Sequence, residues 1–418
     1  MLVIAPVGWT LRAEAKAAVP MMSAPGRSVS RHLSMIAVAA VLTVVAVGCA
    51  GARGPAITTS STAAAGGGRA PTSSAAVGKV RAAGDATGGH ATRSGTAPAG
   101  GVAAPGTTIP GVTIRLVPPR ATSPTIGRPW APDVVAVAPH IRPNGLLFVF
   151  LPGTAAAPRN YRLVVAQAAL LGYRAVGLDY PNQRSVGDRC QADPTCYGPV
   201  RQNILTGQPS STRIAIRPAD SIEHRLGALL RYLGERYPGE GWQRFVAGGS
   251  PVWSQTVVAG HSQGGGEAAY IGKVRQVSGV VMFSAPVDAT TGPTPRPATW
   301  LSRPGRTPLS RYLGLADPAD GYYARIRASW TGLGLDRFGR AVTVAGARTP
   351  NAGAAELLIA AAPGQGPLAA HSGTVADLSV TRCPGGAPLL APVWRYLLRA
   401  AGGLSPGAGG AETAGCPT

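Results

Sequence analysis

The chain has little lysine, little acidic charge and no long hydrophobic run, and each shortage argues against a class of protein. Lysine occurs only at positions 16, 79 and 273, so arginine carries almost all of the net charge of +21. These arginines are spread along the chain and do not alternate with aromatic residues, as they do on nucleic-acid-binding surfaces. We therefore expect no nucleic-acid partner. A general arginine bias accounts for the charge better than attraction to an anionic envelope.

No apolar segment reaches the length of about 20 residues that crosses a bilayer. The run at 35–47 is shorter and follows a basic stretch, which is typical of a secretory signal. It ends in the sequence AVGC, which resembles a bacterial lipobox, and Cys49 would be the lipidated residue. We predict a lipoprotein-type signal at 1–48 with lipidation at Cys49. An ordinary cleaved signal is the alternative, and the true start codon stays open.

Aromatic residues are absent from 49–108, which is almost wholly Ala, Gly, Ser, Thr and Pro. Such a segment cannot bury enough apolar surface to offset the entropy of ordering, so we predict a disordered tether. Residues 109–418 then form a single folded domain. The protein is expected to be exported, either as a lipoprotein on the outer face of the cell membrane or as a secreted protein. Its oligomeric state is left open.

Cysteine is scarce, and its spacing favours disulfide bonds over a metal site. Setting Cys49 aside leaves an even number. Cys190 and Cys196 enclose a short loop and are predicted to pair, which leaves Cys383 and Cys416 to join the C-terminal tail. The paired Cys-x-x-Cys motifs or nearby histidines that zinc spacing needs are missing. We therefore predict no metal.

Continuous apolar runs alternate with helical patterns after residue 145. Apolar runs closed by glycine or proline are typical of buried parallel strands, and apolar residues at helical spacing predict the helices between them. The alternation predicts an α/β fold with a mostly parallel central sheet, helices on both faces and a small cap. The predicted strands are 145–154, 174–179, 256–260, 279–286, 311–317 and 341–346, and the last two are expected to close the sheet. The predicted helices are 158–173, 220–238 and 392–400. The segment 183–217 is predicted to be loop, and 293–308 is predicted to be a cap or lid.

The segment Gly260-His-Ser-Gln-Gly264 lies between a predicted strand and a predicted helix and fits Gly-x-Ser-x-Gly. A nucleophile in this position projects from a very tight turn, so the residues two before and two after it must be tiny. A phosphate loop would need Gly-Lys-Ser/Thr, and a dinucleotide site would need Gly-x-Gly-x-x-Gly; neither frame is present. We predict a nucleophile elbow with Ser262 as the nucleophile.

Counting histidines selects the general base. His371 is the only histidine after the elbow, and His261 is the variable position of the elbow itself. The acid that orients the base should follow a later strand. Asp317 and Asp320 share the expected turn and both stay open, whereas Asp288 lies one strand early.

Two backbone N–H groups should stabilise the oxyanion. One is expected from Gln263, the residue after the nucleophile. The other is expected from the turn after the first central strand, where Thr154 or Gly153 can donate and Pro152 cannot.

Five segments resemble a bacterial α/β-hydrolase of the exported serine-hydrolase kind and follow that family's order: FVFLPGT at 148–154, VGLDYPN at 176–182, VAGHSQGGG at 258–266, VMFSAP at 281–286 and HSGTVAD at 371–377. The resemblance implies an α/β-hydrolase fold and esterase- or lipase-like cleavage of an ester or related acyl bond. The reaction would pass through an acyl-serine on Ser262, need no cofactor and act on a small-molecule or lipid-like ester. Two alternatives remain: an inactive binding protein of the cell envelope, and an acyltransferase that uses the same residues.

Overall fold

The computed structural model describes residues 109–344, 356–359 and 366–404. The predicted signal, the tether, Cys49 and Cys416 lie outside these residues. Within them, no helix is long and apolar enough to cross a membrane.

The strands are β1 (Thr113–Val117), β2 (Asp133–Val137), β3 (Leu147–Leu151), β4 (Arg174–Gly177), β5 (Val246–Ala247), β6 (Ser250–Pro251), β7 (Thr256–His261), β8 (Gly279–Phe283), β9 (Tyr312–Ala316), β10 (Val342–Val344) and β11 (Glu356–Ile359). Nine of them form one sheet in the order β1-β2-β4-β3-β7-β8-β9-β11-β10, and β5 and β6 form a small hairpin. Every neighbouring pair from β4 to β10 is parallel, while β2 is antiparallel to both of its neighbours. The predicted mostly parallel sheet is confirmed.

The helices are α1 (Pro119–Thr122), α2 (Arg162–Leu170), α3 (Val186–Cys190), α4 (Tyr197–Thr206), α5 (Ile222–Arg236), α6 (Gln263–Val274), α7 (Tyr323–Leu333), α8 (Pro367–Gly373) and α9 (Ala391–Gly402). Two apolar cores lie on opposite faces of the sheet. Side chains of α4, α5, α6 and α7 fill one core, and side chains of α2 and α9 fill the other.

The central strand β3 shows why the sequence run is apolar without alternation. Leu147, Val149 and Leu151 pack into the first core, whereas Phe148 and Phe150 pack into the second. Because successive side chains of a strand point to opposite faces, a strand covered on both sides must be apolar at every position. β7 and β8 are buried in the same way.

Three predictions about individual elements are wrong. The segment 183–217 was expected to be loop, but it holds α3 and α4, because the glycine and proline near the start of α4 break its helical pattern. Strand β10 does not close the chain of strands, since β11 follows and lies between β9 and β10. Helix α5 begins at Ile222 and not at the predicted Asp220, because the hydroxyl of Ser221 accepts the N–H of His224 and caps the helix.

Helices α3 and α4, together with the segment 293–308, are called the cap below. The predicted disulfide joins Cys190, at the end of α3, to Cys196, just before α4. Cys383 is also disulfide-bonded. Its predicted partner Cys416 lies outside the described residues, so that pairing stays a prediction.

Candidate active site

Ser262 stands alone between the end of β7 and the start of α6. Its backbone has φ +53°, a left-handed conformation that costs a non-glycine residue free energy and is concentrated at functional sites. Its N–H donates to the carbonyl of Phe283 on the next strand, at 2.9 Å. The turn therefore holds a half-exposed serine at the carboxyl edge of the sheet, where a nucleophile elbow would hold it.

The two glycines of the motif are needed for different contacts. A Cβ on Gly260 would collide with the backbone of Gly264, across the turn. A Cβ on Gly264 would collide with the backbone of Leu151 and Pro152, at the end of β3. The spacing Gly-x-Ser-x-Gly thus allows both the turn and its close packing against the neighbouring strand.

The next two glycines also have a role, which the sequence left only partly explained. A Cβ on Gly265 would meet Ala285, so this glycine lets α6 pack closely on the segment after β8. A Cβ on Gly266 would overlap the guanidinium of Arg201, which comes from α4. Gly266 therefore makes room for a charged group from the cap.

His371 is brought to the elbow by α8 and forms its side-chain contact with Asp320, not with Asp317. His371 Nδ1 lies 2.7 Å from Asp320 Oδ2, and both side chains are almost fully buried. The other oxygen of Asp320 accepts the N–H of Tyr322. Asp317 accepts the N–H of Ala319 instead, as a turn-stabilising residue does.

The backbone carbonyl of His371 is also fixed. It accepts a hydrogen bond from Ser284 Oγ at 2.8 Å and another from His261 Nε2 at 3.0 Å. Because a carbonyl only accepts, His261 must carry its proton on Nε2, and its Nδ1 accepts from the hydroxyl of Tyr161 at 3.0 Å. Burial, and then the charge of His371, lower the pKa of His261 to about 3. His261 is therefore a neutral support of His371, with both nitrogens occupied.

The expected oxyanion donors lie on two turns that contact each other. Gln263 is the first residue of α6, so its N–H has no acceptor within the helix. The N–H of Thr154 has no acceptor among the described residues, whereas the N–H of Gly153 donates to Tyr161 Oη. Thr154 Oγ1 donates to Gln263 Oε1 at 2.9 Å and ties the two turns together. The free N–H groups are thus those of Gln263 and Thr154.

These groups line one pocket of about 370 Å³, which contains Ser262, His371, Thr154 and Gln263. Arg325 from α7 reaches the same pocket, and its guanidinium donates to backbone carbonyls and to the hydroxyl of Tyr197. In the described part of the chain, no group of three histidine, cysteine or acidic side chains is arranged to hold a metal ion.

A buried ionic cluster joins the cap to the elbow helix. Arg201 of α4 pairs with both oxygens of Asp288 and with Oε1 of Glu267, and all three side chains are nearly inaccessible. Asp288 also accepts from the indole of Trp300, so this carboxylate is fully engaged away from His371. Burial raises the pKa of Glu267 to about 8, and the charge of Arg201 opposes this rise.

Sequence reasoning missed Tyr161, Ser284 and Arg201 as supports of this site. Ser284 lies in the VMFSAP segment, but that segment did not indicate its role, and each of the three residues reaches the site from a separate element through the tertiary fold. A weak signal existed for Arg201 only: an extra glycine at 266, beyond what the elbow needs, implied a close neighbour.

The mostly parallel sheet, the strand–serine–helix elbow and the chain order of serine, acid and histidine define an α/β-hydrolase fold. The fold class predicted from the sequence is confirmed.

No protein-family model and no curated protein matches the chain. Solved structures similar to it include esterase B of Lactobacillus rhamnosis in a phosphonate complex, with 14% identity, TM-score 0.35, and coverage of 70% of this chain and 87% of that one. A bacterial heroin esterase has 12% identity, TM-score 0.34, and coverage of 71% and 85%. An esterase of the planctomycete Thermogutta terrifontis has 14% identity, TM-score 0.29, and coverage of 60% and 81%. These likenesses are weak, so the functional argument rests on the pocket itself.

Proposed function

We propose that the protein is a serine hydrolase that cleaves an ester or related acyl bond through an acyl-serine intermediate. The observation that carries the proposal is the 2.7 Å contact of His371 with Asp320, in a pocket that also holds the strained Ser262. A histidine oriented by a buried carboxylate can take the proton of a serine hydroxyl and return it to the leaving group.

In this mechanism Ser262 Oγ attacks the acyl carbon while His371 Nε2 accepts its proton. Asp320 holds Nδ1–H and stabilises the imidazolium that forms. The N–H groups of Gln263 and Thr154 bind the oxyanion, helped by the N-terminal end of the α6 dipole. His371 then protonates the leaving alcohol, and water, activated by the same histidine, hydrolyses the acyl-serine.

Labelling by a fluorophosphonate probe tests the proposal, because only an activated serine reacts with it. We expect the wild type to be labelled and to hydrolyse p-nitrophenyl butyrate, and Ser262→Ala to do neither. Ser302→Ala, at an exposed serine of the cap segment, is the matched control and should behave as wild type. Labelling that survives in Ser262→Ala would exclude Ser262 as the nucleophile.

We further propose that the protein is exported and attached to the membrane through a lipid on Cys49. The disulfide between Cys190 and Cys196 supports an oxidising compartment outside the cytoplasm. Cys49→Ser should move the protein from the membrane fraction to the soluble fraction and should abolish metabolic labelling by an alkyne fatty acid. A variant that stays in the membrane fraction would contradict the lipid anchor.

A further inference from the structure

We propose that a second cavity, beside the catalytic pocket, binds a phosphate-class oxyanion that carries an organic group. The cavity measures about 540 Å³ and its charged walls are formed by Arg128, Arg184, Arg189, Arg213 and Arg217. None of these residues has a role in the mechanism above.

Most of this positive charge lacks a counterion. Arg217 pairs with Asp220 at 2.7 Å, and Asp220 is further engaged by backbone N–H groups and by the buried Arg225. The other four arginines, at 128, 184, 189 and 213, form no ion pair with a carboxylate of the described residues. Guanidinium groups that converge without a counterion create a positive potential that attracts anions.

Arg189 shows that the positive charges lining the cavity repel one another. Its Nη1 donates to the carbonyl of Arg213 at 2.6 Å, which holds these two residues together, and its Nε is buried without a partner. Burial, and then the charge of Arg184, lower the pKa of Arg189. An anion in the cavity would offset this repulsion and supply an acceptor for the guanidinium groups.

The shape and chemistry of the walls indicate the class of ligand. Planar guanidinium forks match the oxygens of phosphate and bind them bidentately. Ile214, Ile216 and Pro181 form an apolar part of the same wall, and the volume exceeds what a bare phosphate would fill. A phosphate monoester with an apolar organic group fits both parts of the wall.

The cavity also approaches the catalytic pocket. Arg184, Arg189 and Arg213 line an adjoining cavity of about 490 Å³ together with Asp188, and Asp188 in turn lines the pocket of Ser262. Asp188 is the one carboxylate of that adjoining cavity and it leaves the arginines in excess. The turn of α3 that carries Asp188 and Arg189 thus lies between the anion site and the pocket of the nucleophile.

Calorimetric titration of the full chain with phenyl phosphate tests the site. The chain carries Cys49→Ser in all variants, so that no lipid anchor contributes. Arg184 and Arg213 are exposed, and their side chains make no hydrogen bond to any residue that the structure describes, so R184Q/R213Q should melt at the wild-type temperature. We expect wild-type binding that weakens with added salt and a loss of at least about tenfold in R184Q/R213Q. R303Q/R306Q removes the same charge from the exposed cap segment and should bind as wild type.

Vesicle flotation distinguishes a soluble ligand from a lipid headgroup. Vesicles containing phosphatidic acid are compared with phosphatidylcholine vesicles, using the same three proteins. Binding of phenyl phosphate indicates that the ligand is a soluble phosphate ester. Binding of phosphatidic acid vesicles alone, if it depends on Arg184 and Arg213, indicates that the ligand is a lipid headgroup. Either outcome supports the anion site. Equal losses in the two double variants, or no binding to either probe, would overturn the proposal and leave the hydrolase assignment untouched.

Discussion

Replacing Asp320 with Asn should remove nearly all activity without removing the fold. The amide can still accept the N–H of Tyr322 through its oxygen, as Asp320 does. It then presents an NH₂ group to His371 Nδ1 and favours the tautomer whose Nε2 carries the proton, which cannot accept a proton from Ser262. The charge that stabilises the imidazolium is also lost.

The size of the effect follows from the contact. Asp320 and His371 approach to 2.7 Å with side chains 0% and 8% exposed, so solvent screens the pair weakly. At an effective dielectric constant of about 20, unit charges at this separation attract by about 6 kcal/mol. If most of this attraction is present only in the transition state, kcat falls by about 10⁴-fold.

The assay is kcat and KM for p-nitrophenyl butyrate over pH 5–10, with thermal melts to verify folding. Asp317→Asn is the matched control, because its oxygen can still accept the N–H of Ala319, and we expect less than about a threefold change in kcat. The reasoning is refuted if Asp320→Asn keeps near-wild-type kcat, or if Asp317→Asn loses as much as Asp320→Asn.

Two further predictions concern the support of the elbow. His261 has its pKa lowered to about 3 from an ordinary value near 6.5, so the unfolded chain binds this proton first and the folded protein loses stability as pH falls from 6.5 towards 3. The acid-induced loss in the free energy of unfolding from His261 amounts to at most about 5 kcal/mol. In urea unfolding measured at several pH values, His261→Gln should lessen this loss. An unchanged pH dependence would contradict the role of His261 as a neutral support. Gly264→Ala should lower the free energy of unfolding by about 1–3 kcal/mol and reduce kcat, because the new Cβ collides with the end of β3. Gly239→Ala is the control, because the space around its Cβ is open, and it should change neither quantity. Thermal melts and activity assays measure both variants. Equal melting temperatures for these two glycine variants would refute the collision.

The central strands and the elbow were predictable because local physics determines them. β3, β7 and β8 are buried on both faces, so their sequences are continuously apolar. The elbow requires glycine at two fixed positions, and this requirement is visible without a structure.

The acid was not predictable, because Asp317 and Asp320 lie in the same turn and differ only in where the turn points them. Helix α4 was missed because it is short, and because its stability comes from packing and from the ion pairs of Arg201 rather than from a regular apolar pattern. The edge strand β1 and the inner strand β11 are short and only partly apolar, so their pairing partners define them.

The Arg201 cluster determines what kind of wall α4 provides. Moving α4 away from the pocket would remove the Arg201 guanidinium from the space left by Gly266. It would also leave the buried carboxylate of Asp288 without its ion pair. We therefore expect the α4 side of the cap to stay in place as a rigid wall of the pocket. For the proposed hydrolase, we therefore expect substrates on this side of the pocket to be selected by their fit to a fixed surface.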